Sequence, residues 1–189
     1  MGDLATPPTG RSALQPRVSL AILNRRYRDE PFALQRTKDG RDLSQVRYHN
    51  AEGFFPHNEP RSPQGWRNFL YMSGITAHLG LSSHLLDVGF PDHWNARHIG
   101  YQISKSLAYA NATGLDHRCP DMARLAAVLT PYWKWNSAQK LIEKRAPDDS
   151  GFTVAQVRRL LRALLDQVRV VTGHSLPDGW HRHCKEAQA

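Results

Sequence analysis

At 189 residues, 40% of them hydrophobic, the chain is long enough for one domain with a real core, which excludes global disorder. Two cysteines exclude a disulfide framework, and no apolar run approaches the length of a bilayer span, which excludes a transmembrane helix. The formal charge is +8, with 19 Arg against 6 Lys, so polyanions are the favoured partners and nucleic acid comes first among them.

Residues 1–16 are rich in Pro, Gly, Thr and Ser and are expected to form a flexible N-terminal segment. They hold no basic stretch followed by an apolar one, so no secretory signal is read and a cytoplasmic location is expected. Residues 17–61 are expected to form a basic arm or β-hairpin followed by a long loop. Arg25, Arg26 and Arg28 surround Tyr27, a grouping that can hold phosphate while the ring stacks on a base. Phe32–Thr37 and Arg41–Tyr48 flank Lys38-Asp39-Gly40, which reads as a three-residue hairpin loop with Gly40 left-handed. In that register Phe32, Leu34, Val46 and Tyr48 share one face, while Lys38, Arg41 and Arg47 occupy the tip and the other face. Such a basic ribbon fits a major groove, or else lies on the helices with its polar side outward. Residues 49–64 hold three prolines and read as a loop that Phe54 and Phe55 pin to the core.

Residues 62–174 are expected to be a helical core, so the fold reads as mainly α: a single-domain bundle of four to five helices behind the basic hairpin or extended arm. Ser62 and Pro63 suit the cap and first position of a long helix, with Gly80 as its stop. Asp92 is expected to cap a central helix running to Gly114. The row Gly100, Ser104, Ala108, Ala112 predicts a close crossing there. Pro120 opens the next helix, and Thr130-Pro131 predicts a kink or restart before Trp133-Lys134-Trp135. Thr153 with Gln156 is a capping box. From there Val154, Val157, Leu161, Leu164, Val168 and Val171 form a seam, expected to pack into the domain or to pair two copies as a homodimer through residues 154–171. Residues 175–189 read as a C-terminal tail.

Three site chemistries are open. Phosphate contacts would come from Arg25, Arg26, Arg28, Lys38, Arg41 and Arg47, with Arg158 and Arg162 on the last helix and Tyr27 and Trp135 as stacking rings. His117, Cys119, His181 and Cys184 are a soft ligand set that zinc would accept, although CxxC pairs are lacking. His78, His84, His93 and His98 fall close together, but no HExxH, nucleophile elbow or phosphate loop accompanies them. The reading that follows is a non-enzymatic nucleic-acid-binding accessory or regulatory protein with DNA or RNA as partner and no cofactor. A protein-interaction or inhibitor module and a small His- or Zn-dependent hydrolase or nuclease are the alternatives.

Overall fold

The computed structural model describes residues 19–31, 33–136 and 148–176. The N-terminal segment 1–16, Phe32 of the expected hairpin, and His181 and Cys184 of the expected zinc set lie outside the described residues. The fold is mainly α, and the described residues contain no strand. In chain order the helices are α1 (Leu20–Tyr27), α2 (Lys38–Gly53), α3 (Pro63–Asp87), α4 (Asp92–Trp94), α5 (Ile103–Ala112), α6 (Pro120–Leu129) and α7 (Val154–Thr172). A π-helical turn (Asn95–Ile99) continues α4, and a 3₁₀ turn (Tyr132–Trp135) follows α6. None of these helices is long and apolar enough to cross a membrane.

The organising element is α3. Ser62 caps it by accepting a hydrogen bond from the Gly65 N–H at 3.0 Å, and Pro63 opens it, as the sequence predicts. It does not stop at Gly80 but runs on to Asp87. Gly80 instead marks a crossing, where an added Cβ would lie 2.8 Å from Leu165 Cδ2 of α7. At Gly74 a Cβ would overlap the Tyr132 side chain. Of its 25 residues 16 are buried, so α3 has hardly any solvent face.

The hairpin expected over residues 32–48 does not form: the described residues of that stretch contain no strand, and both the expected tip and the second arm are helical. Lys38–Gly53 is α2, and Thr37 caps it by accepting from the Gly40 N–H at 3.0 Å. Its buried positions are Ser44, Tyr48, Ala51 and Glu52, a helical spacing that apolar periodicity misses because two of the four are polar. Residues 33–37 run without regular structure over Gly89, whose φ of +107° and lack of a side chain let the Gln35 backbone approach. α2 runs antiparallel to α3, with Gly40 beside Leu86 and Ser44 bonded to Ser83. α7 is antiparallel to α2, with Arg41 reaching the Thr172 carbonyl and Arg162 reaching Glu52.

The expected single helix from Asp92 to Gly114 is divided. Gly100 (φ +52°) breaks it after the π-turn, and α5 begins at Ile103. Asp92 does not cap with its carboxylate, which pairs with Arg47 at 3.2 Å. The buried face of α5 is Ile103, Ser106, Leu107, Tyr109 and Ala110, so Ser104, Ala108 and Ala112 sit at its edge and the small-residue row is not the packing axis.

Pro120 opens α6 as expected, and the chain restarts as the 3₁₀ turn after Thr130-Pro131. The capping box of α7 forms in both directions, Gln156 N–H to Thr153 Oγ1 at 3.3 Å and Thr153 N–H to Gln156 Oε1 at 2.9 Å. Val157, Leu160, Leu161, Leu164, Leu165 and Val168 of α7 are buried in the one core. Val170 and Val171 lie outside it.

Replacing Gly80 or Gly74 with Ala forces displacement at a helix crossing and should destabilise the fold by about 1–3 kcal/mol each. Urea unfolding of the two variants measures this, and unchanged midpoints would show that neither crossing is tight.

Candidate functional site

The fold sorts the basic residues into two groups. Arg41 donates to Asp87 at 3.0 Å and to the Thr172 carbonyl at 3.2 Å. Arg47 pairs with Asp92, as above. Arg158 donates to the carbonyls of Pro56 and His57 and to Glu59. Arg162 Nη1 donates to both oxygens of the fully buried Glu52 at 2.9 Å, and its guanidinium lies 4.4 Å from the centre of the Phe55 ring. These four arginines therefore fasten helices and the 54–59 loop rather than forming a free cationic face. Trp135 is also misplaced as a stacking ring: it is 1% exposed and donates through Nε1 to the Val128 carbonyl. Trp133, two residues earlier, is the exposed one.

Arg25, Arg26, Arg28 and Lys38 form the other group. All four are exposed, and none has an ion-pair partner among the described residues. The three arginines close α1, where their charge complements the carbonyl end of the helix. Arg25 and Arg28 line a shallow depression with Asn24, Asp29 and Glu30. Tyr27 is half-buried, 6.0 Å from Tyr109 between ring centres, with Lys105 4.9 Å from its centre.

Asp29 anchors this end. Its carboxylate, 5% exposed, accepts from Lys105 at 2.8 Å, Tyr109 Oη at 2.6 Å and His98 Nδ1 at 3.2 Å. Burial alone would raise its pKa, but these hydrogen bonds and the Lys105 charge hold it below the usual carboxylate range. His98 belongs to the π-turn, so α1 and the π-turn are tied together there.

On the same π-turn lies a cavity of about 220 Å³, lined by Arg47, His78, Ser82, Asp92, Asn95, Ala96, Gly100 and Tyr101. His78 and Ser82 are one turn apart on α3. Burial, aided by the Arg47 charge and opposed by Asp92, pushes the His78 pKa down to about 4, so its imidazole is neutral at pH 7. Asn95 is 7% exposed, and among the described residues neither its Oδ1 nor its Nδ2, both closed off from solvent, has a hydrogen-bond partner. An unmade hydrogen bond on a buried polar group costs about 1–3 kcal/mol. Single π-turns of this kind cluster at functional sites. Sequence reasoning missed this cavity, because its residues come from three separate stretches and Asn95 belongs to no motif.

The enzyme-like features are fewer. Ser44 Oγ lies 2.7 Å from His174 Nε2, a nucleophile–base distance, but both residues are buried. Ser44 Oγ also donates to the Ser83 carbonyl 2.6 Å away, which engages its proton away from His174. His117 and Cys119 are half-buried around the turn into α6, and burial lowers the His117 pKa. Among the described residues no group of three His, Cys, Asp or Glu could hold a metal. His78 and His84 are packed on α3, and neither reaches His93 or His98 through a hydrogen bond among the described residues. No protein-family model, curated protein or solved structure matches the chain.

Removing the Arg162 guanidinium, as in Arg162→Met, strands the Glu52 carboxylate. The loss should be about 2 kcal/mol, below the roughly 3–5 kcal/mol of a fully buried pair because Arg162 is partly solvated. Thermal unfolding reads this directly. His84, like His78, is driven to about 4 by burial. Both imidazoles bind fewer protons folded than unfolded, so their stabilisation is complete above pH 6.5, the ordinary value, and is lost as pH falls toward 4. Stability should drop through that window by up to about 1.4 kcal/mol per pH unit for each group. His78→Gln should flatten the slope in a pH series of melting curves, and an unaltered slope would show that His78 titrates normally.

Proposed function

We propose that this chain is a non-enzymatic nucleic-acid-binding protein in an accessory or regulatory role, gripping phosphates with Arg25, Arg26, Arg28 and Lys38. The observation behind this reading is the division of the cations. Arg41, Arg47, Arg158 and Arg162 are taken up by partners within the fold, whereas these four remain exposed and unpaired among the described residues. Three of them are clustered at the end of one helix, so one phosphate run can touch all three. The π-turn adds exposed Arg97 beside His98, which bonds Asp29 next to Arg28. That residue was not singled out in the sequence. The grip is electrostatic and carries no base information by itself.

With about four phosphates neutralised, log K should fall with log salt at a slope of roughly −3. Fluorescence anisotropy with labelled single- and double-stranded DNA and RNA, between about 50 and 200 mM salt, measures it. The variant R25A/R26A/R28A should lose most of that slope. Arg158→Ala, once shown to remain folded, should keep it. Absence of binding to every probe at the low-salt end would defeat the proposal.

A further inference from the structure

α1 has little of its own to hold it together. It is eight residues long, and isolated helices under about 12–15 residues are marginal in water. Ser19 at its start makes no side-chain cap, and its first turn carries no acidic residue. Of its eight residues only Leu23 is buried, with Leu20 and Tyr27 packed part-exposed on the core. What fixes the helix is the residue that follows its cap. Arg28 is left-handed at φ +56°, and the Asp29 N–H returns to the Asn24 carbonyl at 2.9 Å, closing the last turn. This closure holds the Asp29 side chain in a set position relative to the three arginines. Its buried carboxylate then collects Lys105 and Tyr109 from α5 and His98 from the π-turn. Lys105 is the knot of the contact, since its Nζ also donates to the His98 carbonyl at 2.6 Å and lies over the Tyr27 ring. Asp29 also lines the depression beside Arg25 and Arg28, where a carboxylate repels phosphate and charge alone makes it a liability.

We propose that Asp29 is the positioning residue of the phosphate grip: it docks α1 on α5 and the π-turn, so that Arg25, Arg26 and Arg28 meet a polyanion as one preformed site. This rests on the phosphate reading of those arginines. Undocked, the same three cations lie on a short segment that must be ordered at the moment of binding, a cost that a preformed site avoids. The position and the charge of Asp29 therefore predict opposite signs. Removing the carboxylate leaves every phosphate-binding cation in place and makes the chain more positive, so electrostatics alone predicts tighter binding. Loss of the dock predicts weaker binding. The cations that reach phosphate are the same in both cases, so the salt slope, which counts the phosphates neutralised, stays where it is.

The full chain is compared with two variants, Asp29→Asn and Tyr109→Phe. The second removes one hydrogen bond to the carboxylate without changing charge, and it keeps the ring that packs in the core. Amide hydrogen exchange is measured first, without ligand. The α1 amides should exchange about tenfold faster or more in Asp29→Asn, and faster to a lesser degree in Tyr109→Phe, while the α3 amides keep wild-type rates. Anisotropy with labelled single- and double-stranded DNA and RNA, between about 50 and 200 mM salt, is measured second. Both variants should bind about threefold to tenfold more weakly with the wild-type slope, unlike R25A/R26A/R28A, which loses the slope. Unchanged α1 exchange in Asp29→Asn overturns the proposal. Equal acceleration in α1 and α3 overturns it too, because Asp29 would then serve general stability only. If the wild type binds and Asp29→Asn binds equally well or more tightly, the grip stands and the positioning role falls. If the wild type binds no nucleic acid, the grip falls, and exchange alone decides whether Asp29 docks α1.

Discussion

The structure depends on surrounding α3 on every side. A helix with most of its residues buried has no solvent face to set its orientation, so its neighbours must be close-packed around it. Two glycines make this feasible, Gly74 for the 3₁₀ turn and Gly80 for α7. The cost is that polar groups on α3 are buried too. Ser83 and Asp87 find partners in Ser44 and Arg41, and His84 finds Thr113. Burying the helix thus dictates which side chains α2, α5 and α7 must bring to it.

The same requirement accounts for the fate of the arginines. The end of α2, the 54–59 loop and α7 meet where Glu52 is buried, and a buried carboxylate needs a cation with matching geometry. Arg162 supplies it while covering Phe55, and Arg158 holds the loop by its carbonyls. A guanidinium can do both because it is flat and carries several donors. Much of the apparent basicity is therefore internal fastening, and the formal +8 overstates what a polyanion would meet.

Around the π-turn the packing leaves a different imbalance. One end of the turn is fully satisfied: Asp29 receives Lys105, Tyr109 and His98. The other end leaves the buried Asn95 amide without a partner among the described residues.

The sequence by itself determined the features that rest on neighbouring residues. The mainly α class, the Ser62-Pro63 start of α3, the Pro120 start of α6, the Thr153/Gln156 box and the buried Leu/Val seam of α7 were all legible, because caps and apolar periodicity act within one or two turns. Only the tertiary structure decided the rest. Residues 41–48 are a helix because Ser44 and Glu52 are buried against distant partners, which no local apolar pattern records. Gly80 is a crossing rather than a stop because Leu165, far along the chain, packs on it. The long central helix divides at Gly100, and the cavity at Asn95 draws on α2, α3 and the π-turn together. Which arginines stay free is likewise a property of the fold, because an ion pair between residues a hundred positions apart leaves no mark in composition or spacing.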